Sequence, residues 1–207
     1  MLKYFIWDFD GTLVDTYPSM TIAFQKALKN EGIDATRREV LNLLKQSSKH
    51  ALAYYNLDIS FKKKWKAIEE RVDKAMSQPF QGVLEVLNLI IKNGGKNFIV
   101  THRDETTYDY LKFHKLLDYF TDIITIEEAN QRKPDTDLFD QLIKRNQINP
   151  DQTLSIGDRI LDMLPSKDLG LKTCLYNPKG LNHKVEVDYE IENYGVLKEI
   201  LKKNFKE

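Results

Sequence analysis

Short apolar runs that stop at a polar residue recur along the chain. Tyr4-Phe5-Ile6-Trp7 stops at Asp8, Phe98-Ile99-Val100 at Thr101, Ile123-Ile124-Thr125-Ile126 at Glu127, and Leu154-Ser155-Ile156 at Gly157-Asp158. Thr173-Cys174-Leu175 and Tyr189-Glu190-Ile191 extend the series. Runs this short, apolar at successive positions, predict strands covered on both faces, as in a parallel sheet. Apolar residues at helical spacing fill the gaps. Val83, Leu84, Leu87, Ile90 and Ile91 form one stripe, ended by Gly94-Gly95. Leu138, Leu142 and Ile143 form another after Pro134, and Val196, Leu197, Ile200 and Leu201 a last one. This alternation predicts an α/β fold, a doubly wound parallel sheet with right-handed crossovers.

One gap is too long for a crossover. Between Asp15 and Pro79 the pattern is helical throughout. Met20, Phe24, Ala27 and Leu28 make one stripe, and Val40, Leu41 and Leu44 a second. Phe61, Trp65, Ile68, Val72 and Met76 make a third, at steps of four, three, four and four. The insert therefore predicts a small helical cap over 16–79, leaving 1–15 and 80–207 as the α/β core. The Lys62-Lys63-Lys64 run reads as a solvated helix face.

Composition narrows the function. At 207 residues, 42% hydrophobic and 11% aromatic, the chain can bury a sizeable core. Lys+Arg and Asp+Glu both number 31, for a net charge of zero. That balance argues against nucleic acid and anionic membrane as partners. Cys174 is the only cysteine, which excludes an intrachain disulfide and a cysteine-based zinc site. No apolar run approaches membrane-spanning length, and the opening residues are too short for a signal peptide. The expectation is a soluble, cytoplasmic protein; the oligomeric state is left open.

The candidate chemistry sits where the strands end. In open α/β sheets ligands gather outside the carboxyl ends of the strands. The polar residues there are Asp8, Asp10, Thr12, Thr101, His102, Asp158 and Asp162, with Lys133 shortly after the third strand. Converging carboxylates repel one another unless a cation lies among them, and oxygen ligands suit a hard ion such as Mg²⁺. A lysine and a hydroxyl suit phosphate. The residues thus point to a Mg²⁺–phosphate site.

These residues also fall in a known order. Asp8-Phe9-Asp10-Gly11-Thr12-Leu13-Val14-Asp15-Thr16 resembles the first motif of the haloacid dehalogenase-like superfamily. Val100-Thr101 resembles the second, Lys133-Pro134 the third, and Gly157-Asp158-Arg159-Ile160-Leu161-Asp162 the fourth. The likeness spans nearly the whole chain, and the insert resembles the helical cap of the phosphoglycolate-phosphatase and β-phosphoglucomutase branch. It implies a Rossmann-like core and an aspartyl-phosphate mechanism. Asp8 would be the nucleophile, and Asp10 the general acid and then the general base. Asp8, the Asp10 carbonyl and Asp158 would hold Mg²⁺, with Asp162 supporting them from behind. Thr101 and the His102 backbone N–H would bind phosphoryl oxygens, and Lys133 would complete the charge clamp. A mobile cap would exclude water and choose the substrate, with Asp15, Thr16 and a loop at Gln46–His50 as candidate contacts.

The resemblance implies a phosphatase acting on a small phosphorylated metabolite. A β-phosphoglucomutase-like mutase is the nearest alternative. Relatives of that type carry a histidine soon after the Asp-Thr pair, whereas this chain has Tyr17-Pro18-Ser19-Met20 and no histidine before His50. A dehalogenase lacks the second acid that Asp10 supplies. A non-catalytic binding protein on the same scaffold would be expected to have lost one of these motif residues. Thr101 also suits the N-cap of a helix starting at Arg103.

Overall fold

The computed structural model describes residues 1–128 and 135–206. Their contacts divide into two units, Met1–Val14 with Pro79–Glu207, and Asp15–Gln78. Strand β1 (Tyr4–Trp7) opens the first unit. The second unit holds α1 (Tyr17–Asn30), α2 (Arg37–Gln46), α3 (Ser48–Tyr54) and α4 (Ile59–Glu69). The first unit then resumes with α5 (Val83–Lys92), β2 (Lys96–Val100), α6 (Thr106–Phe113), β3 (Phe120–Ile124) and α7 (Asp137–Asn146). It closes with β4 (Thr153–Gly157), α8 (Ile160–Asp168), β5 (Lys172–Tyr176), β6 (Tyr189–Ile191) and α9 (Tyr194–Asn204).

The strands form one parallel sheet in the order β3-β2-β1-β4-β5-β6. The fold is thus an α/β, Rossmann-like doubly wound sheet carrying an inserted helical cap. Its strands are apolar at successive positions because both faces are covered. Phe5, Trp7, Ile99, Leu154, Ile156 and Cys174 pack with Val83, Leu87 and Ile90 of α5 and Leu197 and Leu201 of α9. The alternate residues Ile6, Phe98, Val100 and Ile124 pack with Leu138, Phe139 and Leu142 of α7. Polar residues inside the strands have partners. The Trp7 indole Nε1 donates to Asn97 Oδ1 at 3.0 Å, and Ser166 Oγ of α8 donates to Ser155 Oγ at 2.7 Å.

Three boundaries differ from those the apolar pattern suggests. β3 runs over Phe120–Ile124 rather than to Ile126. It is an edge strand, so the exposed Thr121 is tolerated there. Ile126 leaves the sheet for a short 3₁₀ turn, where its N–H donates to the Arg103 carbonyl at 3.2 Å. Thr101 is not the cap of a helix beginning at Arg103, because α6 starts only at Thr106.

Within the cap unit, Phe24 is the centre of an aromatic cluster, its ring 5.2 Å from Phe61 and 5.1 Å from Trp65. Val40, Leu43 and Leu44 carry the inward face of α2, and Leu41 lies on its flank. Val72 and Met76 fall beyond α4, which ends at Glu69; Met76 is exposed in a 3₁₀ turn capped by Asp73. The segment Gln46–His50 is not one loop. Ser47 alone separates α2 from α3, and its Oγ accepts from the His50 N–H at 2.9 Å, capping α3. Among the described residues no helix is long and apolar enough to cross a membrane.

Candidate active site

β1 is the point at which the strand order reverses. The chain moves outward from β1 to β2 and β3, then returns to place β4 on the other side of β1. In open α/β sheets such a reversal of strand order, at the carboxyl ends of the strands, is where ligands bind. Asp8 is the first residue past β1, and its N–H continues the ladder by donating to the Ile156 carbonyl at 2.8 Å. Asp158 is the first residue past β4. Register therefore brings together two carboxylates that are far apart in sequence.

The chain folds back directly after Asp8. Gly11 has φ +81°, a left-handed conformation that side chains resist. The N–H groups of Thr12, Leu13 and Val14 all point at the Phe9 carbonyl, at 3.3, 3.1 and 3.2 Å. Phe9 itself is buried in the core and anchors the turn between the two acids. Tyr194 of α9 braces the turn from below, its hydroxyl donating to the Thr12 carbonyl at 2.5 Å. Burial pushes the Tyr194 phenol far above its ordinary range, helped by the nearby Tyr176, Cys174, Asp158 and Asp8.

Asp162 completes the acidic group. Carboxylate oxygens of Asp8, Asp158 and Asp162 all lie within 4.8 Å of one another, with Asp8 and Asp162 buried. Asp162 sits in the first turn of α8, where its Oδ2 accepts from the Arg159 N–H at 3.2 Å. Gly157 makes room for it: a Cβ there would lie 2.6 Å from Asp162 Cβ. The Arg159 guanidinium adds positive charge, with Nε 3.7 Å from Asp158 Oδ1 and Nη2 3.6 Å from Asp162 Oδ1. A largely buried, all-oxygen donor set of three carboxylates fits a hard divalent ion and fits thiophilic metals poorly.

Asp10 does not join this group through its side chain. Its Oδ1 accepts from Arg103 Nε at 2.8 Å. Arg103 is 3% exposed. Its Nη1 donates to Thr106 Oγ1 at 3.2 Å, and its guanidinium carbon lies 5.1 Å from the Tyr110 ring centroid. The buried Thr101 ends β2; its N–H donates to the Ile124 carbonyl at 3.0 Å, and its Oγ1 accepts from the Arg103 N–H at 3.0 Å. With a lone pair so engaged, the Thr101 hydroxyl keeps its hydrogen to donate. His102 lies between them, half-buried. Lys133 falls outside the described residues.

Arg103 and Tyr194 escaped the sequence reading. For Arg103 a signal was present, a cation immediately after the polar pair that ends β2. For Tyr194 there was none, because its partner Thr12 lies 182 residues away.

Residues 5–176 match the model of the haloacid dehalogenase-like hydrolase family. The chain is 26% identical over 205 residues to a pyrophosphatase PpaX of Anoxybacillus flavithermus, covering 95% of each chain. It is 29% identical over 191 residues to phosphoglycolate phosphatase 1 of Pseudomonas aeruginosa, covering 86% of this chain and 70% of that one. Among solved structures, a hydrolase from Streptococcus pneumoniae superposes with a TM-score of 0.64 at 29% identity, over 97% of this chain and 98% of the other.

Proposed function

We propose that this chain, which belongs to the haloacid dehalogenase-like hydrolase family, is a Mg²⁺-dependent phosphatase that cleaves a small phosphorylated metabolite through an aspartyl-phosphate. The reading is carried by the acidic group of Asp8, Asp158 and Asp162 at the strand-order reversal. Relatives named as phosphatases of small phosphorylated compounds support the substrate class.

In this mechanism an Asp8 carboxylate oxygen attacks phosphorus, and the bond from phosphorus to the ester oxygen breaks. Asp10 gives its proton to the departing oxygen. It then takes a proton from the water that attacks the aspartyl-phosphate, which releases inorganic phosphate and restores Asp8. Thr101 and the His102 N–H donate to phosphoryl oxygens, with Lys133 as the balancing cation. Held by Asp8, the Asp10 carbonyl and Asp158, Mg²⁺ would supply positive charge that lets the carboxylate approach a phosphate dianion. Asp162 holds the first turn of α8, and through it Asp158, in place.

The test is phosphate release from p-nitrophenyl phosphate and a panel of phosphorylated metabolites, with Mg²⁺ and with EDTA. Turnover should require Mg²⁺ and vanish in Asp8→Asn, an isosteric change that removes the attacking charge. Mass spectrometry excludes deamidation back to aspartate. Full activity in Asp8→Asn would refute covalent catalysis at this residue. Efficient conversion of β-glucose 1-phosphate to glucose 6-phosphate with little phosphate release would instead establish a mutase.

A further inference from the structure

We infer that Arg103 is the positioning residue for Asp10, holding its carboxylate by one oxygen in the orientation from which it moves the proton in phosphoryl transfer. The inference rests on the phosphatase reading and adds to it a residue outside the acidic group. A carboxylate on a turn can rotate about its χ angles, and a proton donor is useful only when aimed at the departing oxygen. Here Oδ1 is bound to Arg103 Nε at 2.8 Å. A guanidinium does not give up its proton to a carboxylate at working pH, so this bond fixes the direction of the carboxylate without competing for the proton it moves.

The guanidinium can impose this aim because it is itself held. Its side chain is 2% exposed, whereas that of Asp10 is 19% exposed. Thr106 Oγ1 accepts from Nη1 at 3.2 Å, and the Asp104 carboxylate fixes Thr106, with Oδ1 accepting from the Thr106 hydroxyl and from its N–H. The Tyr110 ring lies under the guanidinium and is packed 6.1 Å from the Phe9 ring, between the two acids of the turn. The Arg103 N–H is tied to Thr101 Oγ1. Arg103 is thus anchored to the phosphate-side loop, to α6 and to the core. A buried arginine is costly to desolvate, and pairing with a more exposed carboxylate is the return it makes on that cost. A lysine would place a point charge near Asp10 without a planar fork to define its angle.

The experiment measures kcat/KM for aryl and alkyl phosphates of graded leaving-group basicity, with Mg²⁺, on the full chain. Arg103→Met keeps the stem volume and removes the charge and the hydrogen bonds. If Arg103 aims the proton, the loss should be small for p-nitrophenyl phosphate, whose leaving group needs little protonation. For an alkyl phosphate it should grow to about 10²-fold or more, the range that positioned acid catalysis supplies. Asp10→Asn should show the same steepened dependence, and the double variant should be no worse than Asp10→Asn alone. Arg103→Lys should recover part of the alkyl phosphate activity, and it carries the same comparison if Arg103→Met does not fold. An equal loss across all leaving groups, or a double variant whose losses multiply, would overturn the positioning role. Those outcomes leave the phosphatase reading intact, since that reading stands or falls on Asp8→Asn.

Discussion

Gly157→Ala tests whether packing at the end of β4 holds the acidic group together. The new Cβ would lie 2.6 Å from Asp162 Cβ and 2.9 Å from its Oδ2. Such distances are not tolerated, and the neighbour is the first turn of a helix rather than the end of a flexible side chain. Relief comes either from displacing the start of α8 or from turning Asp162 away. Turning it away breaks the bond from the Arg159 N–H to Oδ2, which holds that turn at 3.2 Å. Overpacking of this kind costs about 1–3 kcal/mol. Loss of a helix cap adds about 1 kcal/mol. The sum is about 2–4 kcal/mol, and each kcal/mol lowers Tm by about 2–4 °C in a chain of this size. A fall of roughly 5–15 °C should follow. The two tryptophans divide conveniently, Trp7 in the α/β unit and Trp65 in the cap. A Trp65→Phe background therefore reports unfolding of the α/β unit through Trp7 fluorescence. The same variant should weaken the rise in Tm produced by Mg²⁺, because loss of a supporting contact typically lowers metal affinity about 10–100-fold. An unchanged Tm together with an unchanged Mg²⁺ titration would show that Asp162 is not locked against Gly157.

Tyr194→Phe should cost about 1–2 kcal/mol in denaturant unfolding, because it leaves the Thr12 carbonyl without its buried donor while keeping the ring stack on Trp7 and Tyr176; stability within error of the parent would show that the bond is not made. The His183–Glu190 contact at 3.0 Å raises the imidazole pKa above 6.5, chiefly through that hydrogen bond, and the Glu190 carboxyl is held below 4.5, chiefly by Asn177 and then by His183. The His183 contribution is complete below pH 6.5 and lost as pH rises through the higher folded value; that of Glu190 is complete above pH 4.5 and lost as pH falls through its lower one. The stability difference between the parent and His183→Gln should therefore be largest between about pH 4.5 and 6.5, shrink as pH rises toward 9, and stay within the few tenths to 1 kcal/mol of a surface pair. Urea melts at pH 5.5 and 9 check the sign, and a difference that grows toward pH 9 would refute it.

The strands and their order of appearance were legible from the pattern of apolar runs alone. A parallel strand covered on both faces is mostly apolar, so Tyr4–Trp7 and Leu154–Ile156 announce themselves without reference to any partner. The helical character of the insert was equally local, resting on i, i+3 and i+4 spacing such as Phe61–Trp65–Ile68. The residues in the turns after the strands, Asp8, Asp10 and Asp158, were visible as polar stops at strand ends. Boundaries were less legible. β3 starts and ends earlier than its apolar run, because an edge strand accepts Thr121 and Asp122 where a central strand would not. Ser47 splits what looked like one polar loop, because a single hydroxyl can cap a helix immediately after another has ended.

What the sequence could not determine is who meets whom. Asp8 and Asp158 converge only because β4 pairs with β1 in a register that sets Trp7 beside Ile156. That register is decided by the packing of both sheet faces at once. Asp10 looks like a second member of the acidic group from its spacing, yet tertiary structure gives it a different neighbour, the buried guanidinium of Arg103. Gly157 is an unremarkable glycine until Asp162 folds back against it. Hydrophobic periodicity is a property of neighbours along the chain, and so it can be read in one dimension. Charge pairing, close backbone approach and metal geometry depend on distances between residues far apart in sequence, and those distances exist only once the sheet has closed on its core.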